Sequence, residues 1–177
     1  MLGRQSPGEI IPINARILRE LRWLKAHIQS NNGGEIVELL KDWGGMNDVV
    51  SYVNASSSGV GIWIPSLRQE FRTKIGRQEV HKIGRGDRMD LESFAIVAAL
   101  EYAARCFRPT YLAIFSDSQS SVHMFDSLNT KDEHRNNLVT AFINITEEFG
   151  IWCQVFHISR QDNEISDALS QYENHRL

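Results

Sequence analysis

The stretch Val49-Val50-Ser51-Tyr52-Val53-Asn54-Ala55-Ser56-Ser57-Ser58-Gly59 decides how this chain is read. It begins as a β-branched and aromatic run and ends in a small polar cluster, the pattern of a strand that runs into a tight turn. Three further stations share its character: Asp90-Leu91-Glu92-Ser93-Phe94-Ala95, Leu112-Ala113-Ile114-Phe115-Ser116-Asp117-Ser118, and Asn163-Glu164-Ile165-Ser166-Asp167-Ala168-Leu169-Ser170. Each places an acidic residue, or in the first case Asn54, beside an apolar segment able to fix its position. Two stations are strand-like and two are helix-like, so their polar residues can converge at one sheet edge.

Such convergence is what two-metal phosphodiester chemistry requires, with Mg²⁺ ions roughly 3.5 to 4 Å apart, one activating water and one stabilising the leaving oxygen. Mg²⁺ takes oxygen ligands and keeps several waters, so a few carboxylates from different elements suffice. Taken singly, each acid has an ordinary reading. Asp90 suits a helix N-cap and Glu92 a first-turn position favoured by the helix dipole. Asp117 can cap a helix starting near Ser118, and Asp167 can be a solvated helix residue. Order and spacing across all four stations argue for the shared reading.

Together the stations resemble the ribonuclease H domain of retroelement reverse transcriptases, particularly the long-terminal-repeat and tyrosine-recombinase types. That family's first strand reads Asp-Ala-Ser followed by Gly-x-Gly, and this chain has Asn54-Ala55-Ser56 and then Gly59-Val60-Gly61. The family's second acid opens a helix, as Glu92 does, and its third ends a strand as Ser/Thr-Asp, as Ser116-Asp117 does. Its last motif is a strand-end His, a loop and Asn-x-x-Ala-Asp-x-Leu-Ser, beside which stand His157 and Asn163 to Ser170. The resemblance covers about residues 47 to 172.

It implies an α/β fold with a mixed five-stranded sheet, three antiparallel strands followed by two parallel ones in the order 3-2-1-4-5, flanked by helices. It also implies cleavage of the RNA strand of an RNA-DNA hybrid with two Mg²⁺ ions, or Mn²⁺ as a substitute. Asn54, Glu92, Asp117 and Asp167 are the implied metal and catalytic positions, with His157 as an accessory catalytic group. Lys82, Arg85, Arg88, Ser118 and Gln119 are the expected nucleic-acid contacts. A polymerase subdomain N-terminal to this segment is the implied partner, although no Tyr-x-Asp-Asp centre is present and the chain reads as an excised or free-standing domain.

Position 54 departs from the pattern. A neutral amide cannot supply the charge of an acid that bridges two cations, and losing it beside two divalent ions costs several kcal/mol even at an effective dielectric constant of ~20. Asp48 lies roughly 20 Å away along the same strand and cannot replace it. Impaired catalysis is expected. Two origins fit, an Asp→Asn change that traps substrate or decay in a retroelement copy kept for binding. The alternative is a non-catalytic nucleic-acid-binding or scaffolding module that retains the fold.

The rest of the chain is consistent with one such domain. It has 177 residues and a formal net charge of −3, which argues weakly against tight nucleic-acid binding driven by overall charge. Charge is local instead: Arg68, Arg72, Lys74, Arg77, Lys82, Arg85 and Arg88 crowd a segment that holds Glu70, Glu79 and Asp87. In that family this region faces a hybrid read through backbone and 2′-hydroxyl groups, while a solvated hairpin explains the same alternation. Cys106 and Cys153 are far apart in apolar surroundings and read as buried thiols. No His/Cys spacing suits zinc, and neither a membrane span nor a signal-peptide core is present, so an intracellular setting, cytoplasmic or nuclear, is the default.

Residues 1–46 read as a leader and helical extension, with an amphipathic helix from Ile13 to Ile28 and a short one near 35–41. Residues 47–177 read as the main domain. Strands are expected to Asn54, at 61–65, 77–83, 111–116 and 151–158, and helices at 91–106, 118–128, 133–149 and 164–172.

Overall fold

In the computed structural model, residues 48–75 and 87–172 are described, together with Leu18, Arg19, Leu21, Arg22 and Lys25. The chain divides into two compact units, Met1–Asp42 and Trp43–Leu177. In the first, those five residues are helical and Leu18 and Leu21 are exposed. The remainder of the expected helices at 13–28 and 35–41 lies outside the described residues.

In the second unit, β1 (Val49–Ala55) alternates buried Val49, Ser51 and Val53 with half-buried Val50 and Tyr52 until Asn54 and Ala55, where both faces are covered. The turn that follows is held by Ser56, whose N–H donates to the Gly59 carbonyl at 2.9 Å while its Oγ accepts from the N–H groups of Ser58 and Gly59. The chain returns as β2 (Gly59–Ile64), antiparallel to β1 with Asn54 opposite Gly61. A 3₁₀ turn at Pro65–Leu67, closed by Arg68 at φ 49°, reverses direction into β3 (Gln69–Lys74).

The third strand is therefore Gln69–Lys74 rather than the expected 77–83, whose residues lie outside the described ones. Polar Gln-Glu-Phe-Arg-Thr-Lys masks it as a strand. It is an edge strand with only half-buried or exposed residues, and charged side chains there discourage pairing with other chains.

Helix α1 (Arg88–Cys106) starts earlier than expected because Asp87, not Asp90, is the N-cap, accepting from the Asp90 N–H at 2.9 Å. Its apolar face, including Ala95, Ala99, Leu100 and Ala103, is buried, and the helix packs on β1, β4 and β2. β4 (Tyr111–Ser116) follows, then α2 (Gln119–Ser127), α3 (Glu133–Phe149), β5 (Trp152–His157), a 3₁₀ turn at Arg160–Asn163, and α4 (Glu164–Gln171). α3 is capped by Asp132, ends at Gly150 with φ 64°, and packs on α1.

β4 runs parallel to β1 and β5 parallel to β4, so the sheet order is β3-β2-β1-β4-β5, as the sequence implies. The helical crossovers explain the parallel pairing. Tyr52, Phe115 and Phe156 stack across the three parallel strands with 5.2 Å between successive ring centroids. No helix among the described residues is long and apolar enough to cross a membrane. Cys106 is exposed, contrary to expectation, because it closes α1 at its solvent end, whereas Cys153 packs against the core, where burial pushes its thiol pKa up.

Candidate active site

The site follows from where two parallel strands end. Val53 pairs with Ser116 in register, so the next residues, Asn54 and Asp117, are neighbours at the same sheet edge. Glu92, one turn into α1, reaches over the end of β1, and its Oε2 accepts the Ala55 N–H at 3.1 Å. The Arg135 side chain anchors the start of α1, with Nε 2.8 Å from Asp90 Oδ1 and Nη2 2.5 Å from Asp87 Oδ2.

Asp167 arrives from the opposite direction. α4 packs on β2 and β1 at two glycines: a Cβ on Gly61 would lie 2.3 Å from the Ser166 carbonyl oxygen, and one on Gly59 would lie 2.9 Å from the Tyr172 ring. Asn163 fixes the start of α4, donating from Nδ2 to the Val53 carbonyl at 2.8 Å and accepting from the Ser166 hydroxyl. Ser56 Oγ donates to the Ser170 carbonyl at 2.7 Å at the other end. With α4 so held, Asn54 Nδ2 donates to Asp167 Oδ1 at 2.8 Å and to Ser170 Oγ at 3.0 Å.

Four side chains from four elements thus meet at one sheet edge, three acids and one amide. Asn54 is 2 % exposed and Glu92 0 %. Burial first, and then the nearby Asp117 charge, hold the Glu92 pKa up at about 7 against the opposing pull of the Ala55 N–H and Arg88. Arg88, with a side chain 69 % exposed, stands at the mouth 3.7 Å from Glu92 Oε1 and 3.8 Å from Asp117 Oδ2. Arg160 reaches Asp167 Oδ1 at 3.6 Å.

Three buried oxygens, Asn54 Oδ1, Glu92 Oε1 and Asp117 Oδ1, accept no hydrogen bond. Buried acceptors without donors are costly unless something satisfies them, and an oxygen-seeking divalent cation has the matching chemistry. No three His, Cys, Asp or Glu side chains among the described residues are grouped to hold an ion by themselves; Asn54 is hydrogen-bonded to Asp167 and is the register neighbour of Asp117.

Of the other expected residues, His157 is exposed at the end of β5, in register with Ser116. Ser118 is the residue before α2, with its Oγ 2.8 Å from Ser121 Oγ, and Gln119 is exposed at the first turn. Asp117 therefore does not cap α2. Asp48 lies at the far end of β1, where it accepts the N–H groups of Thr110 and Tyr111. Lys82 and Arg85 lie outside the described residues. Sequence reading missed Arg135, Arg160 and the Ser170 hydroxyl. Ser170 and Asn163 stood inside the last motif, but nothing in one sequence marks a side chain as a partner for Asn54 or Val53.

This sheet order and flanking helices define a ribonuclease H-like fold. Among solved structures, the RNase H1 of the archaeon Halobacterium salinarum matches with a TM-score of 0.55 at 22 % identity, over 73 % of this chain and 98 % of that one. The LC11 RNase H1, solved in complex with an RNA/DNA hybrid, matches with a TM-score of 0.56 at 18 % identity, over 69 % of this chain and 93 % of that one. The N-terminal RNase H domain of a Mycobacterium tuberculosis protein matches at 0.53 and 16 %, over 71 % and 93 %. No curated protein matches the chain in sequence. The family model described as reverse transcriptase-like matches residues 50–173, and the chain belongs to that family.

Proposed function

We propose that this chain is a ribonuclease H-type endonuclease domain of a retroelement reverse transcriptase, built to cleave the RNA strand of an RNA-DNA hybrid and impaired by Asn54. The observation that carries the reading is the meeting of Asn54, Glu92, Asp117 and Asp167 from four elements at one sheet edge, in a chain of the reverse transcriptase-like family. A nuclease of this fold needs acids that converge there, and only position 54 is not an acid.

Mg²⁺, or Mn²⁺ in its place, would supply the charge that activates water and stabilises the leaving oxygen. Glu92, Asp117 and Asp167, with an acid at 54, are the residues that would hold it. Arg88 and Gln119 are exposed, Arg88 beside Glu92 and Asp117, and would meet phosphates together with Ser118; Lys82 and Arg85 are further candidate contacts by the family resemblance alone. His157, exposed at the same end of the sheet, would act as an accessory group. The setting would be intracellular, with a polymerase subdomain N-terminal to the domain at 47–177.

The second reading, a non-catalytic hybrid-binding module, is favoured by the Asn54–Asp167 hydrogen bond, which satisfies an acid without a metal. One experiment separates the two: cleavage of a labelled RNA-DNA hybrid in Mg²⁺ and in Mn²⁺, with this chain beside its Asn54→Asp variant. Cleavage by the variant alone supports the impaired nuclease. Two folded, hybrid-binding proteins that both fail to cut would support the binding module instead.

A further inference from the structure

The amide of Asn54 can be oriented from its partners. Ser170 Oγ donates to the Asp167 carbonyl at 2.8 Å, so toward Asn54 it offers a lone pair. Asp167 Oδ1, the other contact, is an acceptor when ionised. Both neighbours call for a donor, and that places Nδ2 toward α4 and turns Oδ1 away from it. Oδ1 is buried and accepts no hydrogen bond, like Glu92 Oε1 and Asp117 Oδ1. Asp117 is the register neighbour of Asn54, and Glu92 holds the N–H of the residue after it.

Resting on the reading of this site as a metal-dependent one, we propose that the chain takes a single divalent cation, held by Glu92, Asp117 and the Asn54 carbonyl oxygen, and that Asn54 Nδ2 replaces a second. The amide is two-faced. Its oxygen serves the acid pair, while its N–H₂ group bridges β1 to Asp167 and Ser170 as a cation would bridge two carboxylates. Asp167 then belongs to the structural link between β1 and α4 and not to the ion. Arg88 is the gate: its guanidinium, near both acids, must swing out for the cation to enter, and its exposed side chain allows that. A second ion is disfavoured because it would have to approach Asp167 through the positive end of the Asn54 amide.

The test is a titration of the full chain with Mn²⁺ alone, free ion followed by electron paramagnetic resonance, with thermal melting of every variant as a fold control. One ion per chain is expected. Glu92→Gln and Asp117→Asn should each weaken binding by about tenfold or more, whereas Asp167→Asn should change it by less than about threefold. The use of two acid variants guards against one failing to fold. Asn54→Asp should raise the count to two. Two ions on the unaltered chain, no saturable ion, or an Asp167→Asn effect as large as that of Asp117→Asn would each overturn the proposal. Binding of an uncut 2′-O-methyl RNA-DNA hybrid, measured separately, keeps the questions apart. One ion with no hybrid binding retains this inference and removes the nuclease reading, and two ions with hybrid cleavage by Asn54→Asp does the reverse.

Discussion

Gly61 on β2 lies directly beneath Ser166 of α4: a Cβ at position 61 would come within 2.3 Å of the Ser166 carbonyl oxygen and 2.6 Å of the Ser170 N–H nitrogen. Both obstacles are backbone, so the helix must move as a unit to make room. The glycine thereby sets the height of α4 over the sheet and with it the reach of Asp167 to Asn54. Gly61→Ala should destabilise the fold by about 1 to 3 kcal/mol, as overpacking does. In an Asn54→Asp background it should also reduce hybrid cleavage more than it lowers the melting temperature would explain, measured at a temperature where both proteins are folded.

Asn54→Asp exchanges a hydrogen bond for two carboxylates at the same 2.8 Å approach to Asp167. Loss of the bond and like-charge repulsion act in the same direction. In EDTA near neutral pH the variant should be less stable by about 1 to 3 kcal/mol. Millimolar Mg²⁺ should return most of that stability to the variant while shifting the unaltered chain less. Chemical denaturation with and without Mg²⁺ reads both.

Glu92 makes metal-free stability depend on pH in the direction opposite to an ordinary ion-paired acid. Its folded pKa stands at about 7 against an ordinary value of 4.5, so between those limits the folded chain holds a proton that the unfolded chain has released. Stability from this group is then fully present below about pH 4.5 and declines as pH rises toward 7, by up to about 3 kcal/mol in total at 1.36 kcal/mol per unit. Denaturation from pH 5 to 8 in EDTA should show the decline, and Glu92→Gln should flatten it. An equal slope in both proteins would assign the effect elsewhere.

Arg135 joins α3 to the first turn of α1 through Asp87 and Asp90. Asp90 is 2 % exposed, so removing its guanidinium partner leaves a buried carboxylate under-compensated. Arg135→Met should lower stability by about 2 to 4 kcal/mol. The double variant with Asp90→Asn should recover part of that loss, as seen by denaturation midpoints.

Arg88 is exposed and close to two acids, so its charge is available to phosphate only in competition with them. Arg88→Ala should weaken hybrid binding several-fold at low salt and lower the salt dependence by about one phosphate contact. The same change should strengthen Mn²⁺ binding, because a competing cation is removed. Weaker Mn²⁺ binding would show that Arg88 orders the carboxylates instead of blocking them.

Strands β1, β4 and β5 and, among the described residues, helices α1 to α4 were legible from their apolar patterns and local stop signals, such as Gly150 after α3. β3 was not. Its six residues face solvent or half-bury, so no alternation marks them, and only pairing with β2 makes them a strand. The cap is Asp87 and not Asp90: the two read alike locally, and both pair with the distant Arg135, Asp87 while it also accepts the Asp90 N–H. Cys106 was misplaced because an apolar neighbourhood in sequence is not an apolar neighbourhood in space at a helix end.

What the sequence determined by itself was the order of four polar stations, the strands and helices that carry them, and the amide at position 54. Tertiary structure alone decided which end of that amide meets which acid. Asn54 and Asp167 are 113 positions apart, and they meet because the parallel register of β1 and β4 sets one side of the site while α4, lowered onto Gly59 and Gly61, sets the other. Local pattern records where a side chain starts along a strand or helix. Which hydrogen-bond partner satisfies it depends on the packing of elements that no stretch of sequence contains together.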